Sequence, residues 1–192
     1  MKKKILALAG VVLVAAGMAA GTLAYFTDRA EVKNTFTVGE VRITLKETAL
    51  DGGETNGNTY RLIPGKQYQK DPAVSVSDNS EDCYLYVVEN KGVKTEEYIR
   101  YESNLTQANG WSSFLDAGTQ NMVYYRPVKK GDTAREFLLI ADGITVNPEL
   151  GNAEMEGLQD SDLYLNYTAY AVQQETFTDA QDAWQKAFSA IL

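Results

Sequence analysis

The chain has 192 residues, and its 18 Lys and Arg against 26 Asp and Glu give a formal net charge of −8. This acidity argues against a nucleic-acid partner, because surfaces that bind phosphates carry an excess of basic residues. The sequence contains no histidine and one cysteine. That composition excludes His-dependent triads, the HExxH zinc motif, an intrachain disulfide and cysteine-rich metal sites, and we assign no catalytic residue.

Residues 1–24 have the pattern of an export signal. Three consecutive lysines precede an uncharged run of apolar and small residues over positions 5–20. Small residues at Thr22 and Ala24 fit the −3 and −1 positions of a signal-peptidase site, which predicts a mature chain that starts at Tyr25. The alternative is a retained membrane anchor, because the uncharged stretch is long enough to span a bilayer. Cleavage would remove three lysines and no acid, which changes the net charge from −8 to −11.

The first body strand is predicted from the alternation of Val41, Ile43 and Leu45. A change of parity just before it predicts a bulge or bend at residues 39–40. The polar residues 51–58 predict a turn-forming loop. An irregular calcium site is the alternative for this loop, although its spacing does not fit an EF-hand; no cofactor is otherwise predicted. The candidate oxygen ligands are Asp51, Glu54, Asn56 and Asn58.

Several short strands follow, separated by polar turns. Residues 84–88 are apolar on both parities, which is typical of a central strand with two buried faces. The adjacent Cys83 is therefore expected to be a buried thiol. Residues 95–101 fit either a helical turn or a loop, and residues 144–157 are predicted to be a long connection. The other strands are predicted over residues 73–76, 123–128 and 137–140.

The longest predicted strand covers residues 163–172, with alternate residues from Leu163 to Ala171 on one face. After it, apolar residues recur at three- and four-residue spacing, which predicts a helix over residues 179–190. Thr178 and Gln181 are predicted to form its capping box. The helix should pack on the sheet through Trp184 and Phe188. These elements predict a mainly β fold, a jelly-roll-like antiparallel β-sandwich over residues 37–192 with a short C-terminal α-helix.

Residues 25–36 are predicted to be an assembly segment. Once cleavage frees it, this segment carries apolar side chains at Tyr25, Phe26, Val32 and Phe36 among polar ones. An extended tail of this kind can add a strand to an exposed sheet edge of a neighbouring molecule. Two alternatives remain open, pairing within its own chain and fraying.

The residues around the predicted cleavage site resemble one family. Residues 21–28 (GTLAYFTD) and 34–41 (NTFTVGEV) are similar to the corresponding junction of the TasA and camelysin family, which are exported proteins of Gram-positive bacteria. The resemblance covers nearly the whole chain, and the signal junction is its most specific part. Further matches are Pro64-Gly65-Lys66, Lys70-Asp71-Pro72, residues 80–85, residues 169–173 and Ala183-Trp184.

The resemblance implies a jelly-roll sandwich, signal removal by a SipW-type signal peptidase, and a place in the extracellular matrix or on the cell surface. TasA-like proteins form biofilm-matrix fibres by donor-strand exchange, which would assign residues 25–36 to the next subunit's sheet. The implied partners are further copies of the chain and an accessory matrix protein, with membrane contact only before cleavage.

Two other functions remain as alternatives. One is a camelysin-type cell-surface metallopeptidase, although the sequence has no histidine and no HExxH motif to bind zinc. The other is a monomeric surface adhesin or binding module whose Tyr-rich strands contact a carbohydrate or a protein.

Overall fold

The computed structural model describes residues 27–31, 34–36, 41–50, 57–155, 158–159 and 161–188. The predicted signal segment, the bend at residues 39–40 and most of the 51–58 loop lie outside these ranges. Within them, no helix is both long enough and apolar enough to cross a membrane.

The described residues form twelve strands and three α-helical segments. The strands are β1 (Thr27–Glu31), β2 (Asn34–Phe36), β3 (Ile43–Lys46), β4 (Gln67–Tyr68), β5 (Ala73–Val76), β6 (Cys83–Lys91), β7 (Ile99–Ser103), β8 (Ser112–Leu115), β9 (Met122–Val128), β10 (Glu136–Leu138), β11 (Ile140–Val146) and β12 (Leu165–Gln173). The helices are α1 (Thr95–Tyr98), α2 (Asn152–Met155) and α3 (Ala180–Ala187), and a 3-10 turn covers Gln107–Asn109.

The strands pair antiparallel in three sheets. A six-stranded sheet has the order β2-β1-β12-β6-β9-β8, and two three-stranded sheets have the orders β10-β5-β3 and β4-β11-β7. An apolar core joins the large sheet to the two small ones. The predicted mainly β antiparallel sandwich with a C-terminal helix is therefore confirmed.

The main core contains residues from the facing strands of the sheets. On the large sheet, Leu85 and Val87 of β6 lie beside Ala169 and Ala171 of β12, and all four are fully buried. The small sheets contribute the alternating residues of β3 and its neighbours, as the pattern at positions 41, 43 and 45 predicts. The predicted common face of residues 163–171 is thus the face that meets this core.

A second core covers the other face of the large sheet. Tyr86 and Tyr170 project from β6 and β12 against Trp184 and Phe188 at the end of the chain. The Trp184 ring centre lies 5.2 Å from those of Tyr86, Tyr170 and Phe188. Packing of the helix through Trp184 and Phe188 is therefore confirmed, and both faces of β6 and β12 are buried.

The predicted capping box of α3 is wrong by one residue. Asp179, not Thr178, is the N-cap, and its Oδ1 accepts a hydrogen bond of 2.8 Å from the backbone N–H of Asp182. In return, Asp182 Oδ2 accepts the backbone N–H of Thr178 at 3.2 Å. Two carboxylates therefore hold the first turn, where the helix dipole favours negative charge. The helix ends at Ala187, and the predicted positions 189–190 lie outside the described residues.

The predicted long connection over residues 144–157 is also wrong, because its first residues complete β11. The pairing of this strand with β7 shifts register between Ile140 and Ile144, and the exposed Asp142 interrupts its buried alternation. Gly143 lies in this shift with φ = +81°, and a Cβ there would lie 2.3 Å from the carbonyl oxygen of Tyr68. Residues 95–101 begin with the short helix α1 and continue directly into β7.

We expect Asp116 to anchor α3, so that Asp116→Ala lowers the free energy of unfolding by about 1–3 kcal/mol. Its Oδ1 accepts the Trp184 indole N–H at 3.0 Å, and its Oδ2 accepts the backbone N–H and the hydroxyl of Thr119, each at 2.8 Å. Urea titration of both proteins measures the difference.

The same residue predicts a pH dependence. Burial acts to raise the pKa of Asp116, but the hydrogen bonds from Thr119 and Trp184 outweigh it and hold the pKa below its usual range. The folded pKa is below the unfolded one, so this stabilisation is present above about pH 4 and is lost as the pH falls through the folded pKa. Asp116→Asn should lack this acid dependence, and an unchanged acid limb in that variant would contradict the assignment.

Candidate functional site

The N-terminal segment forms one edge of the six-stranded sheet. β1 pairs antiparallel with β12, with Thr27 opposite Val172. β2 pairs in turn with β1, with Arg29 opposite Phe36, so the two strands form a hairpin at the end of the sheet. Of the alternatives for this segment, the structure has the one in which it pairs within its own chain.

The described residues include only part of the predicted site. Phe36 is the last residue of β2. Two residues separate the predicted cleavage bond from the first residue of β1. The other predicted residues, Thr22 and Ala24 of the cleavage site and Tyr25, Phe26 and Val32 of the assembly segment, lie outside the described residues.

β12 is the strand that receives β1, and it is one of the most buried parts of the molecule. Its other neighbour, β6, pairs with it along its whole length from Leu165 to Gln173. β1 pairs with it only opposite residues 169–172. Buried backbone groups need hydrogen-bond partners, so removal of β1 would leave a row of unpaired groups along this half of β12.

A cavity of about 500 Å³ lies beside the other half of β12. Leu165, Asn166 and Tyr167 of β12 line it, as do Leu45 at the end of β3 and Ile144 of β11. Its volume is in the range of ligand pockets, which are lined mainly by apolar groups with a few polar ones. Its other apolar walls are Leu62, Pro72, Ile99, Leu158 and Leu163.

An ion pair lies in the wall of this cavity. Lys70 Nζ is 3.2 Å from both carboxylate oxygens of Glu47, and both side chains are buried. The Tyr60 hydroxyl donates to Glu47 Oε1 at 2.6 Å. Burial, followed by this contact with Glu47, raises the pKa of Tyr60 far above its usual value. Tyr60 is therefore a protonated donor at neutral pH, and the cluster is charge-compensated.

Sequence reasoning missed this cluster, although one signal was present. Glu47 has the same parity as Val41, Ile43 and Leu45, and it continues their buried alternation. A carboxylate on a buried parity predicts a buried partner. Nothing in the sequence identifies Lys70 as that partner, because the two residues meet only through the fold.

Most strand tyrosines contribute to the core rather than to a surface platform. Tyr86 and Tyr170 are fully buried against α3, and Tyr167 is buried with its hydroxyl donating to Glu89 Oε1 at 3.0 Å. Tyr164 is 40% exposed and lines the cavity.

The described residues contain no group of three or more His, Cys, Asp or Glu side chains arranged to hold a metal ion. Of the four candidate calcium ligands in the 51–58 loop, Asn58 alone is described. Its Oδ1 accepts the backbone N–H of Leu50 and its Nδ2 donates to the carbonyl oxygen of Thr48, each at 2.9 Å. The Asn58 amide therefore joins the two ends of the loop.

Cys83 is fully buried, as predicted, and we expect it not to react with a thiol reagent at pH 8 in the folded chain. Burial raises the pKa of its thiol to about 12, and the nearby Arg135 offsets this only in part. Because the thiolate is the reactive form, labelling should occur only after unfolding in denaturant. Rapid labelling of the native chain would contradict this placement.

No protein-family model, no curated protein and no solved structure matches this chain.

Proposed function

We propose that this protein is a secreted structural subunit of the extracellular matrix or cell surface that assembles into fibres through its N-terminal strand. The observation that carries the proposal is the pairing of β1 with the edge of β12, close to the predicted cleavage bond. In this proposal a SipW-type signal peptidase releases the segment from the membrane, and further copies of the chain are its partners.

Backbone pairing suits such an exchange. The hydrogen bonds between β1 and β12 are the same whether β1 comes from the same chain or from another, so exchange conserves them. β12 is buried on both faces, which makes an unpaired edge costly and favours occupation by a strand from some molecule. Pairing through backbone groups also does not require charge complementarity between copies that each carry a large negative charge.

The test uses the processed chain that starts at Tyr25 and a variant that lacks residues 25–36. The processed chain should form fibres visible by electron microscopy, and the truncated chain should not. A synthetic peptide of residues 25–36 provides the control, because it should bind the truncated chain, raise its Tm and leave it monomeric. Fibres from the truncated chain would contradict the proposal.

Acidification gives a second readout. The exported chain would carry 26 carboxylates, and their protonation lowers the repulsion between copies. Assembly of the processed chain, followed by light scattering, should therefore be faster at acidic than at neutral pH.

A further inference from the structure

The cavity of about 500 Å³ beside β12 has buried inner walls and an exposed rim. Leu45 and Ile144 in the inner walls are buried, with 7% and 4% of their surface exposed. Tyr164 and Asn166, which also line the cavity, are exposed. The cavity is therefore open to solvent at the rim, and a small molecule can reach its buried part.

Four leucines in the cavity wall are only partly covered by the rest of the protein. All four pack against the main core and also line the cavity, and their side chains are half-buried. They are Leu62, Leu158, Leu163 and Leu165. An apolar occupant would remove their remaining apolar surface from water, which is favourable. These walls therefore favour a ligand with an apolar body.

The buried polar groups of the same cavity compensate one another. Glu47 and Lys70 form an ion pair, and Glu47 also accepts the Tyr60 hydroxyl. An anionic ligand group placed beside this pair would lie against the Glu47 carboxylate, and a cationic one would lie against the Lys70 ammonium group. Burial of a further charge without a partner of its own is costly, so the pair disfavours both kinds of ion.

Lys70 nevertheless has a hydrogen-bond donor to offer. An ammonium group carries three N–H donors. Within the described part of the chain, the hydrogen bonds of Lys70 are the two to the carboxylate oxygens of Glu47, each at 3.2 Å. One N–H is therefore left for an acceptor in the cavity. The ligand group that suits this position is an uncharged oxygen acceptor.

We propose that this cavity binds an uncharged amphiphile, a molecule with an apolar chain and a hydroxyl or carbonyl oxygen at one end. The chain lies against the four leucines, and the oxygen accepts a hydrogen bond from Lys70. Fatty alcohols and monoacylglycerols share this chemistry. The ligand site is an additional function, because strand exchange between subunits requires no small molecule.

Three ligands that differ in the head group test the proposal on the unsubstituted chain. They are 1-octanol, octanoate, which is an anion at pH 7, and octylammonium, which is a cation. Isothermal titration calorimetry at this pH should detect binding of 1-octanol, with both ions weaker by about tenfold or more. Removal of one methylene group from the alcohol should weaken binding about fourfold, the effect of one buried CH2.

A substitution that fills the cavity tests where the alcohol binds. Leu165→Trp places a larger side chain in the cavity and should abolish the binding of 1-octanol. Leu138→Trp is the matched control, because Leu138 is 48% exposed on β10 and is not among the described residues that line the cavity. Circular dichroism checks the folding of both variants, and Leu163→Trp replaces Leu165→Trp if that chain does not fold.

Glu47→Gln tests the selection against charge. This variant leaves Lys70 as a buried cation without its carboxylate partner. Octanoate then supplies the missing negative charge, so it should bind more tightly than 1-octanol. The rise of Tm with ligand concentration measures both affinities, even in a chain of reduced stability. An unchanged preference for the alcohol would contradict the role of the ion pair.

The outcomes are distinct. Binding of 1-octanol that is lost in Leu165→Trp and kept in Leu138→Trp supports the inference. No binding of 1-octanol to the unsubstituted chain, or equal binding of the three head groups, overturns it. Binding that persists in Leu165→Trp overturns the cavity as the site. Fibre formation is measured separately by electron microscopy, so failure of the ligand site leaves the proposed function standing.

Discussion

A chain with Trp184 replaced by alanine is expected to lose roughly 3–5 kcal/mol of its free energy of unfolding, the range for buried Trp or Phe truncated to Ala. The Trp184 side chain is fully buried between α3 and the large sheet. Its ring contacts Tyr86, Tyr170 and Phe188, and its indole N–H donates to Asp116. Truncation therefore has two effects: it leaves a cavity in the second core, and it removes the indole N–H donor to Asp116. Urea titration followed by circular dichroism measures the change.

Trp184→Phe is the matched control, because it keeps an aromatic ring in the second core while it removes the indole N–H donor and part of the ring volume. Its cost should be clearly smaller than that of the alanine variant. A Trp184→Ala chain with the denaturation midpoint of the unsubstituted chain would show that α3 contributes nothing to the stability of the sheet. Since β12 belongs to this sheet, the same variant should also expose the outer face of Tyr170 and aggregate at high concentration.

The packing of α3 on the large sheet could be predicted because two independent sequence patterns agree. Residues 84–88 are apolar on both parities, which requires a cover on each face of that strand, and the last helix carries one apolar stripe through Trp184 and Phe188. Capping was harder to predict. Thr178 and Asp179 are both good N-cap residues, and local sequence alone does not rank them.

Residues 144–157 were mispredicted for a physical reason. The buried residues Ile140, Ile144 and Val146 of β11 share one parity, but Asp142 and Gly143 interrupt their alternation, so too short an apolar pattern remains to identify the strand. The requirement for glycine at position 143 comes from the tertiary structure. Only a residue without a Cβ allows the close approach of the Tyr68 carbonyl oxygen, and local sequence does not reveal that contact.

Only one of the two partners in the candidate site could be predicted from the sequence. The apolar pattern of residues 25–36 identified an assembly segment, but not its partner, because β12 lies about 140 residues later in the chain. The cavity could not be predicted from the sequence, because its walls come from separate segments such as those around Leu45, Ile144 and Leu165.

The second large effect concerns the buried ion pair between Glu47 and Lys70. We expect Lys70→Met to lower the free energy of unfolding by about 3–5 kcal/mol. The substitution leaves the Glu47 carboxylate in the cavity wall with the Tyr60 hydroxyl as its remaining side-chain donor. An uncompensated buried charge is expensive, whereas removal of both charges is often neutral. The double variant Glu47→Gln/Lys70→Met should therefore recover most of the loss, and urea titration of the four chains forms a double-mutant cycle.

An exposed pair supplies the control for this cycle. Lys94 Nζ lies 4.0 Å from Asp162 Oδ2 with both side chains partly exposed, so Lys94→Met should cost less than about 1 kcal/mol. Equal costs for Lys70→Met and Lys94→Met, or a double variant less stable than Lys70→Met, would show that Glu47 is not the group that makes Lys70 necessary.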